Sequence, residues 1–552
     1  MKKSILALLG LMAVGTAQAD FYGGQFIQGK NGWFFPVDEF RFYTSERPDT
    51  ISDATQTIAA VNSIFAQKKI DLYTTVVPIR ARLYEDQLPG VLRLPPVIQQ
   101  RYANVQAAFK SAGVRAPDLN TIFINSPERL AMYPLYIKGD HHWAGPGGLL
   151  AAQTISKEIT DSGKLKNYDS IISTISFGSP KLSPKKPITP DGGKAAGKQT
   201  EMYRPIIVQT EGQSLLDEET FPIAVVGDSF SNGERDGVGL FAFPSLIESI
   251  TKRRVYNAAQ PGQGPWSPML DYLKSAAYQN TPPEVLVWEM WEAFLTGDGQ
   301  GYLPRNFLRR AGPLALGACP QPRMVQANRA NLAPDTMLVF YGLKPGVSAT
   351  VKYSQAGKVP LQNDLDVTEG GMAFAFPGRS GITDIAIKQG DQALASLRTG
   401  TCTMPASFVK TIALNGKTID LSRNLAANQV DLIGFYPSND GLISRWALGS
   451  SSVLHFLASK QSSGNLSILA RSPFPGQVIN VSVNGRSVGK VQADSQGIFK
   501  LETPIAASIG ANAIEFRYSI WRTKNEEANA RIDKNDPRDL AVSFEKLSIT
   551  LR

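Results

Sequence analysis

From Asp20 to about Pro320 the chain alternates between short runs of branched and aromatic residues and longer stretches with helical spacing. Five runs have the composition of buried strands: Leu72–Pro78, Thr121–Asn125, Pro222–Gly227, Arg254–Ala258 and Glu284–Trp291. Between them, Ile51–Gln67, Val97–Ser111, Gly147–Ile159, Phe241–Ile250 and Pro268–Ala277 gather apolar residues on one helical face. In the second of these, Ile98, Tyr102, Val105 and Phe109 align after Pro95-Pro96. Alternation of this kind predicts an α/β fold with a parallel sheet covered on both faces. In such sheets the ligand lies outside the carboxyl ends of the strands.

After Pro320 the helical pattern largely stops. Met337–Gly342, Thr350–Tyr353, Met372–Phe376 and Ile382–Ile387 read as short strands ending near Cys402. A second β-rich block begins near Phe408, with strands at Leu466–Ala470, Val478–Val483, Ala513–Tyr518 and Leu540–Phe544. Asn484-Gly485 after Val483 is a hairpin signal. Regular strand spacing predicts two β-sandwich-like domains. The expected divisions are 1–19, 20–318, 319–403 and 404–552.

The first division reads as a removable leader. Lys2 and Lys3 precede an apolar run from Ile5 to Val14, and Ala17-Gln18-Ala19 fits a cleavage site. Removal would lower the formal charge of +9 to about +7. After the leader, no apolar stretch approaches the ~20 residues needed to span a membrane. A hydrophobic content of 43% with 19% charged residues argues against disorder and allows sizeable cores. The chain is thus expected to be exported to the periplasm. Two cysteines in an oxidising compartment permit one Cys319–Cys402 disulfide, the alternative being two separate buried thiols. Between Ser176 and Pro205, four prolines and five lysines mark a long exposed loop, either a solvated insertion or a basic flap for an acidic polymer.

Two segments carry the chemistry. Phe221–Gly233 runs from a buried strand into Gly227-Asp228-Ser229, where a serine offers both a nucleophilic oxygen and an oxyanion-binding N–H. Leu135–Gly148 holds Asp140, His141 and His142, two of the three histidines of the chain. Asp140 and His142 are a candidate acid and base for Ser229. The plainer reading of Asp140 is a helix cap in a surface loop. A metal on Asp140, His141 and His142 would lack a further histidine in this domain to complete a zinc site, so no metal and no cofactor is expected. His455 reads as a packed sandwich residue.

These motifs resemble the AlgX/AlgJ-type alginate O-acetyltransferase family. Gly29–Phe35, Val76-Val77-Pro78 through Tyr84 with Leu88-Pro89, Asp140-His141-His142-Trp143, Gly227–Ser231 and Val287-Trp288-Glu289 occur in that family's order over about residues 25–300. The resemblance implies an SGNH-hydrolase-like parallel sheet flanked by helices. It also implies an acetyl-Ser229 intermediate, with His142 rather than His141 as base and Asp140 behind it. Ordinary SGNH hydrolases place the Asp/His pair after the serine; here, as in the transferases, it comes first. Asn257 is a secondary oxyanion candidate, and Trp143, Trp266 and Trp288 are candidates for stacking on sugar. The resemblance further implies an exopolysaccharide acceptor and a separate membrane-bound O-acyltransferase that supplies acetyl groups. It also suggests that the last division is a carbohydrate-binding module. An exported carbohydrate esterase and a non-catalytic polysaccharide-binding or secretion subunit are the competing functions.

Overall fold

The computed structural model describes residues 26–552 except 37–38, 41–47, 91, 183–201, 212–219, 233–241, 296–306, 318–321, 326–331, 355–360, 379–381, 383, 395–396, 417, 421–429, 436–444, 533–535 and 537. The expected leader Met1–Ala19, Cys319 and most of the basic loop therefore lie outside the described residues. Cys402 is disulfide-bonded.

The α/β half opens with a small hairpin, β1 (Phe26–Gln28) and β2 (Phe34–Pro36). There follow α1 (Pro48–Gln67), β3 (Asp71–Val77), α2 (Pro96–Ser111), α3 (Leu119–Ile124) and α4 (Gly145–Asp161). An antiparallel ribbon comes next, β4 (Ile172–Phe177) with β5 (Ile206–Glu211). The half closes with β6 (Ile223–Val226), α5 (Phe243–Thr251), β7 (Val255–Asn257), α6 (Trp266–Lys274), β8 (Val285–Trp291) and α7 (Phe307–Leu316). Strands β3, β8, β6 and β7, in that order, form one all-parallel sheet.

Strand alternation builds a core on each face of the sheet. Ala224, Val226, Leu286, Trp288 and Met290 point to the side covered by α1, α2, α6 and α7. Ile223, Val225, Val285, Val287 and Trp291 point to the side covered by α3, α4 and α5.

Two expectations need correction, and one helix was not anticipated. The run Thr121–Asn125 is helical: it belongs to α3, whose Leu119 and Phe123 bury one turn apart. Asp118 caps that helix, its carboxylate accepting the Thr121 N–H at 3.0 Å. Among the described residues the sheet therefore has four strands. The segment read as one loop from Ser176 starts and ends as paired strand, in β4–β5 and in the short pair Lys181–Leu182 with Met202–Tyr203. Helix α7 was not anticipated: its apolar residues fall on one helical face, but Gly312 and Pro313 inside it weigh against a helix. Burial of Phe307, Leu308, Ala311, Leu314 and Ala315 holds it in place.

Two antiparallel β-sandwiches follow. The first packs strands Thr336–Tyr341 and Met372–Ala375 of one sheet over Ala349–Ser354 and Asp384–Gln389 of the other, around Leu338, Phe340, Val351 and Tyr353. The second packs the sheet of Ser462–Arg471 and Leu540–Leu551 over that of Ser451–Ala458 and Gly510–Tyr518, around Ile468, Ile514, Phe516 and Phe544. Asn484 (φ 51°) and Gly485 (φ 84°) both take the left-handed conformation in the two-residue turn joining Val478–Val483 to Arg486–Gln492. His455 is fully buried in the second sandwich.

The first sandwich is fused to the α/β half. Met337, Val339, Phe374 and Phe376 share a core with α1, α6 and α7. Arg310 of α7 donates to both oxygens of Asp366, at 2.6 and 2.7 Å. Phe408 was expected to open the last β block. It lies instead in a helix, Ala406–Ile412, with its ring against Gly312, where an added Cβ would come within 2.3 Å of it. Phe408→Ala is expected to cost about 3–5 kcal/mol in urea unfolding, the usual range for emptying a phenylalanine site. Among the described residues no helix is long and apolar enough to cross a membrane.

Candidate active site

At the carboxyl end of β6 the chain turns through Gly227, Asp228 and Ser229. Strand β8 continues past the end of β6, since Trp288 pairs with Val226, and so places Glu289 beneath this turn. A Cβ on Gly227 would lie 2.4 Å from Glu289 Oε2, so only glycine fits. Residues after β7 bind the same turn: Gln260 N–H donates to Gly227 O at 3.0 Å, and Asn232 Nδ2 donates to Ala259 O at 3.4 Å.

The Asp-His-His segment is a tight turn. Ala144 N–H donates to Leu135 O at 2.7 Å and Ile137 N–H to His142 O at 3.1 Å. Gly147 at the start of α4 packs on the base of this turn, where a Cβ would be 2.1 Å from Leu135 O. Arg80, just after β3, is buried beneath the turn. Its guanidinium donates to Ile137 O at 2.7 Å and Lys138 O at 3.3 Å, and also to Asp140 O and Phe34 O. Glu39 lies 3.9 Å from Arg80 Nε and accepts Ala81 N–H at 2.6 Å. Burial raises the Glu39 pKa, only partly opposed by Arg80. Burying a guanidinium costs several kcal/mol unless its donors are satisfied, and here its two terminal nitrogens donate to backbone carbonyls of the Asp-His-His turn and of Phe34.

The two turns meet. His142 Nε2 is 2.8 Å from Ser229 Oγ, and His142 Nδ1 is 2.9 Å from Asp140 Oδ1. His141 Nδ1 is 3.1 Å from the same Asp140 oxygen, and the two imidazoles lie 4.0 Å apart, centre to centre. An ionised carboxylate only accepts, so each Nδ1 carries a proton toward it. His142 Nε2 is then left to accept the Ser229 proton. Burial alone would raise the Asp140 pKa, but the two imidazoles hold the carboxyl well below the usual range. Burial lowers the His141 pKa, helped by His142 and opposed by Asp140, so His141 stays neutral at pH 7. Sequence spacing left open which imidazole faces Ser229; in the structure it is His142. Ser229, His142, Asp140 and His141 are thus brought together.

The other candidates lie elsewhere or are buried. Asn257 ends β7 beside the serine turn, exposed, with its Oδ1 taken by Ala259 N–H at 3.0 Å. Trp143, Trp266 and Trp288 were sugar-stacking candidates, but they are only 2%, 1% and 0% exposed. Trp143 donates to Phe230 O at 2.9 Å and so joins the histidine turn to the serine turn. Trp288 donates to Pro265 O at 2.8 Å, and Trp266 packs edge-on against it. All three are core struts. Sequence reasoning missed Arg80 and assigned no role to Glu289. Glu289 had a signal, a charge inside an otherwise apolar strand, whereas Arg80 follows β3 in a short helical turn and had none. Asp140, His141 and His142 offer ligand atoms within 4.8 Å of one another, but Asp140 already serves the two imidazoles.

Residues 26–292 match the family model described as an SGNH hydrolase-like domain, acetyltransferase AlgX. These residues belong to the AlgX/AlgJ family. The match makes residues 26–292 an SGNH-like acetyltransferase domain. A probable alginate O-acetylase AlgJ of Azotobacter vinelandii is 26% identical over 276 residues, covering 48% of this chain and 69% of the relative. The alginate biosynthesis protein AlgX of Pseudomonas aeruginosa is 22% identical over 329 residues, covering 55% of this chain and 62% of the relative. The solved structure of Pseudomonas aeruginosa AlgX shares the fold, with a TM-score of 0.52 and 18% identity, over 71% of this chain and 97% of that one. The matched domain ends where β8 ends, so the serine turn and the histidine turn both lie inside it.

Proposed function

We propose that this chain acetylates hydroxyl groups of an alginate-like exopolysaccharide in the periplasm through an acetyl-Ser229 intermediate. The observation that carries this is the 2.8 Å contact between His142 Nε2 and Ser229 Oγ, backed by Asp140, within an acetyltransferase domain. His142 takes the Ser229 proton as Oγ attacks the carbonyl carbon of an acetyl donor. The oxyanion is received by the Ser229 N–H, and the Asn257 side-chain amide is the second candidate donor. His142 then protonates the leaving alcohol. In the second half, a sugar hydroxyl gives its proton to His142 and attacks the acetyl-serine, releasing Ser229. Asp140 keeps the His142 ring in the required tautomer and balances its charge when it is protonated.

The leader-like Met1–Ala19 supports export, and acetyl-CoA is a cytosolic compound. Beyond the inner membrane a membrane-bound O-acyltransferase is therefore the proposed source of acetyl groups. A modest positive charge suits an anionic polymer.

The test is incubation with an activated acetyl ester and oligomannuronate, followed by mass spectrometry of the sugars. Acetylated oligosaccharide is the expected product. Release of acetate with unmodified sugar would make the protein an esterase.

A further inference from the structure

Glu289 is fully buried and takes no part in the mechanism above. It sits at the centre of the serine turn. Its Oε2 accepts the Asp228 N–H at 3.0 Å on one side of Ser229 and the Ser231 hydroxyl at 3.0 Å on the other. Asp228 is also buried, and its Oδ1 accepts the Phe230 N–H at 2.9 Å. Two carboxyl side chains thus hold the residues flanking the nucleophile from below.

We propose that Glu289 is a positioning residue for Ser229, pinning both flanks of the nucleophile turn so that Oγ stays at His142. The inference rests on Ser229 being the nucleophile. Two acids this close and this buried cannot both ionise. Burial raises the Glu289 pKa well above the usual range, and the neighbouring Asp228 raises it further. Burial raises Asp228 as well, eased by the Phe230 N–H and by Glu289. Glu289 therefore holds the turn as a neutral acid. The groups facing it are Asp228 and Ser231 from the serine turn, with His141, from the histidine turn, acting on Asp228. A neutral acid is mimicked by glutamine, whose oxygen can accept both bonds and whose amide can donate to Asp228.

Two measurements on Glu289→Leu and Glu289→Gln test this. The first is the labelling rate of Ser229 by phenylmethanesulfonyl fluoride. In that reaction Oγ bonds to sulfur, fluoride leaves, and His142 takes the proton. Leucine fills the volume but breaks both bonds, so labelling should slow by roughly 10- to 100-fold, the cost of an ångström-scale misplacement. Glutamine should restore the rate to within about threefold of the parent. Equal loss in both variants would mean that an ionised carboxylate is required and would overturn the proposal. Undiminished labelling in the leucine variant would overturn it too.

The second measurement is Tm from pH 5 to 8 and does not depend on activity. A carboxyl whose folded pKa is raised gives stability that is complete below the unfolded value, near 4.3, and is lost as pH rises through the folded value. Glutamine has no such loss. Its Tm should therefore gain on that of the parent as pH rises. A constant gap would show that Glu289 is ionised and would sink the neutral-acid role. If the parent labels at Ser229 and shows the Tm trend but transfers no acetyl group, the functional reading fails and this one stands.

Discussion

Ser229→Ala should reduce acetyl transfer by about 10⁴- to 10⁶-fold, as removal of a serine nucleophile does elsewhere. The geometry explains the size of the effect. Ser229 Oγ is the atom in contact with His142 Nε2. Without it, the base has no proton to take and the acetyl group has no oxygen to occupy. The backbone turn remains, because it is held by Glu289, Gln260 and Trp143 rather than by the serine hydroxyl. The variant should therefore keep the parent Tm to within a degree or two while losing the reaction. Acetylated sugar measured by mass spectrometry gives the rate. Intact protein mass after brief exposure to donor gives the intermediate, which should be present in the parent and absent in the variant. An alanine variant that still transfers acetyl at the parent rate would remove Ser229 from the chemistry altogether.

Much of this site was legible because its parts are local. Asp140 and His142 are two residues apart in one turn, and Ser229 follows a strand whose four residues are all buried. The parallel sheet was legible for the same reason: Leu72–Pro78, Pro222–Gly227 and Glu284–Trp291 are compact apolar runs that match β3, β6 and β8 within a residue or two. What was not legible depends on partners far along the chain. Arg80 meets carbonyls about 57 residues away, and Glu289 meets a backbone N–H 61 residues away. Neither pairing leaves a periodic trace. The tryptophans were misjudged for a related reason. An indole offers a stacking face only if nothing else covers it, and Trp143 is covered by Phe230 and Phe243. The run at Thr121 shows the remaining weakness: a branched, aromatic composition was outweighed by a capping aspartate three residues earlier.

Asp140→Asn is the second large effect, and it separates the two histidines. Asp140 Oδ1 receives an N–H from each imidazole, yet only His142 reaches the serine. When His142 is protonated in the transition state, its charge lies directly between Asp140 and the reacting oxygen. An asparagine supplies no opposite charge and can also turn its NH₂ toward the ring, which would reverse the tautomer. A fall in kcat of about 10²- to 10⁴-fold with nearly unchanged KM is expected. His141→Gln leaves the His142–Asp140 contact in place, so its cost should stay below about tenfold. Stability gives an independent check. The Asp140 carboxyl is held well below its ordinary pKa, so its contribution is present above the unfolded value near 3.9 and disappears as pH falls through the folded value. The asparagine variant should therefore melt below the parent at pH 7, with the gap closing below about pH 4. If His141→Gln abolishes transfer and Asp140→Asn with His142 intact does not, His141 is the base, and the 2.8 Å contact seen here belongs to a resting arrangement that the reaction leaves behind.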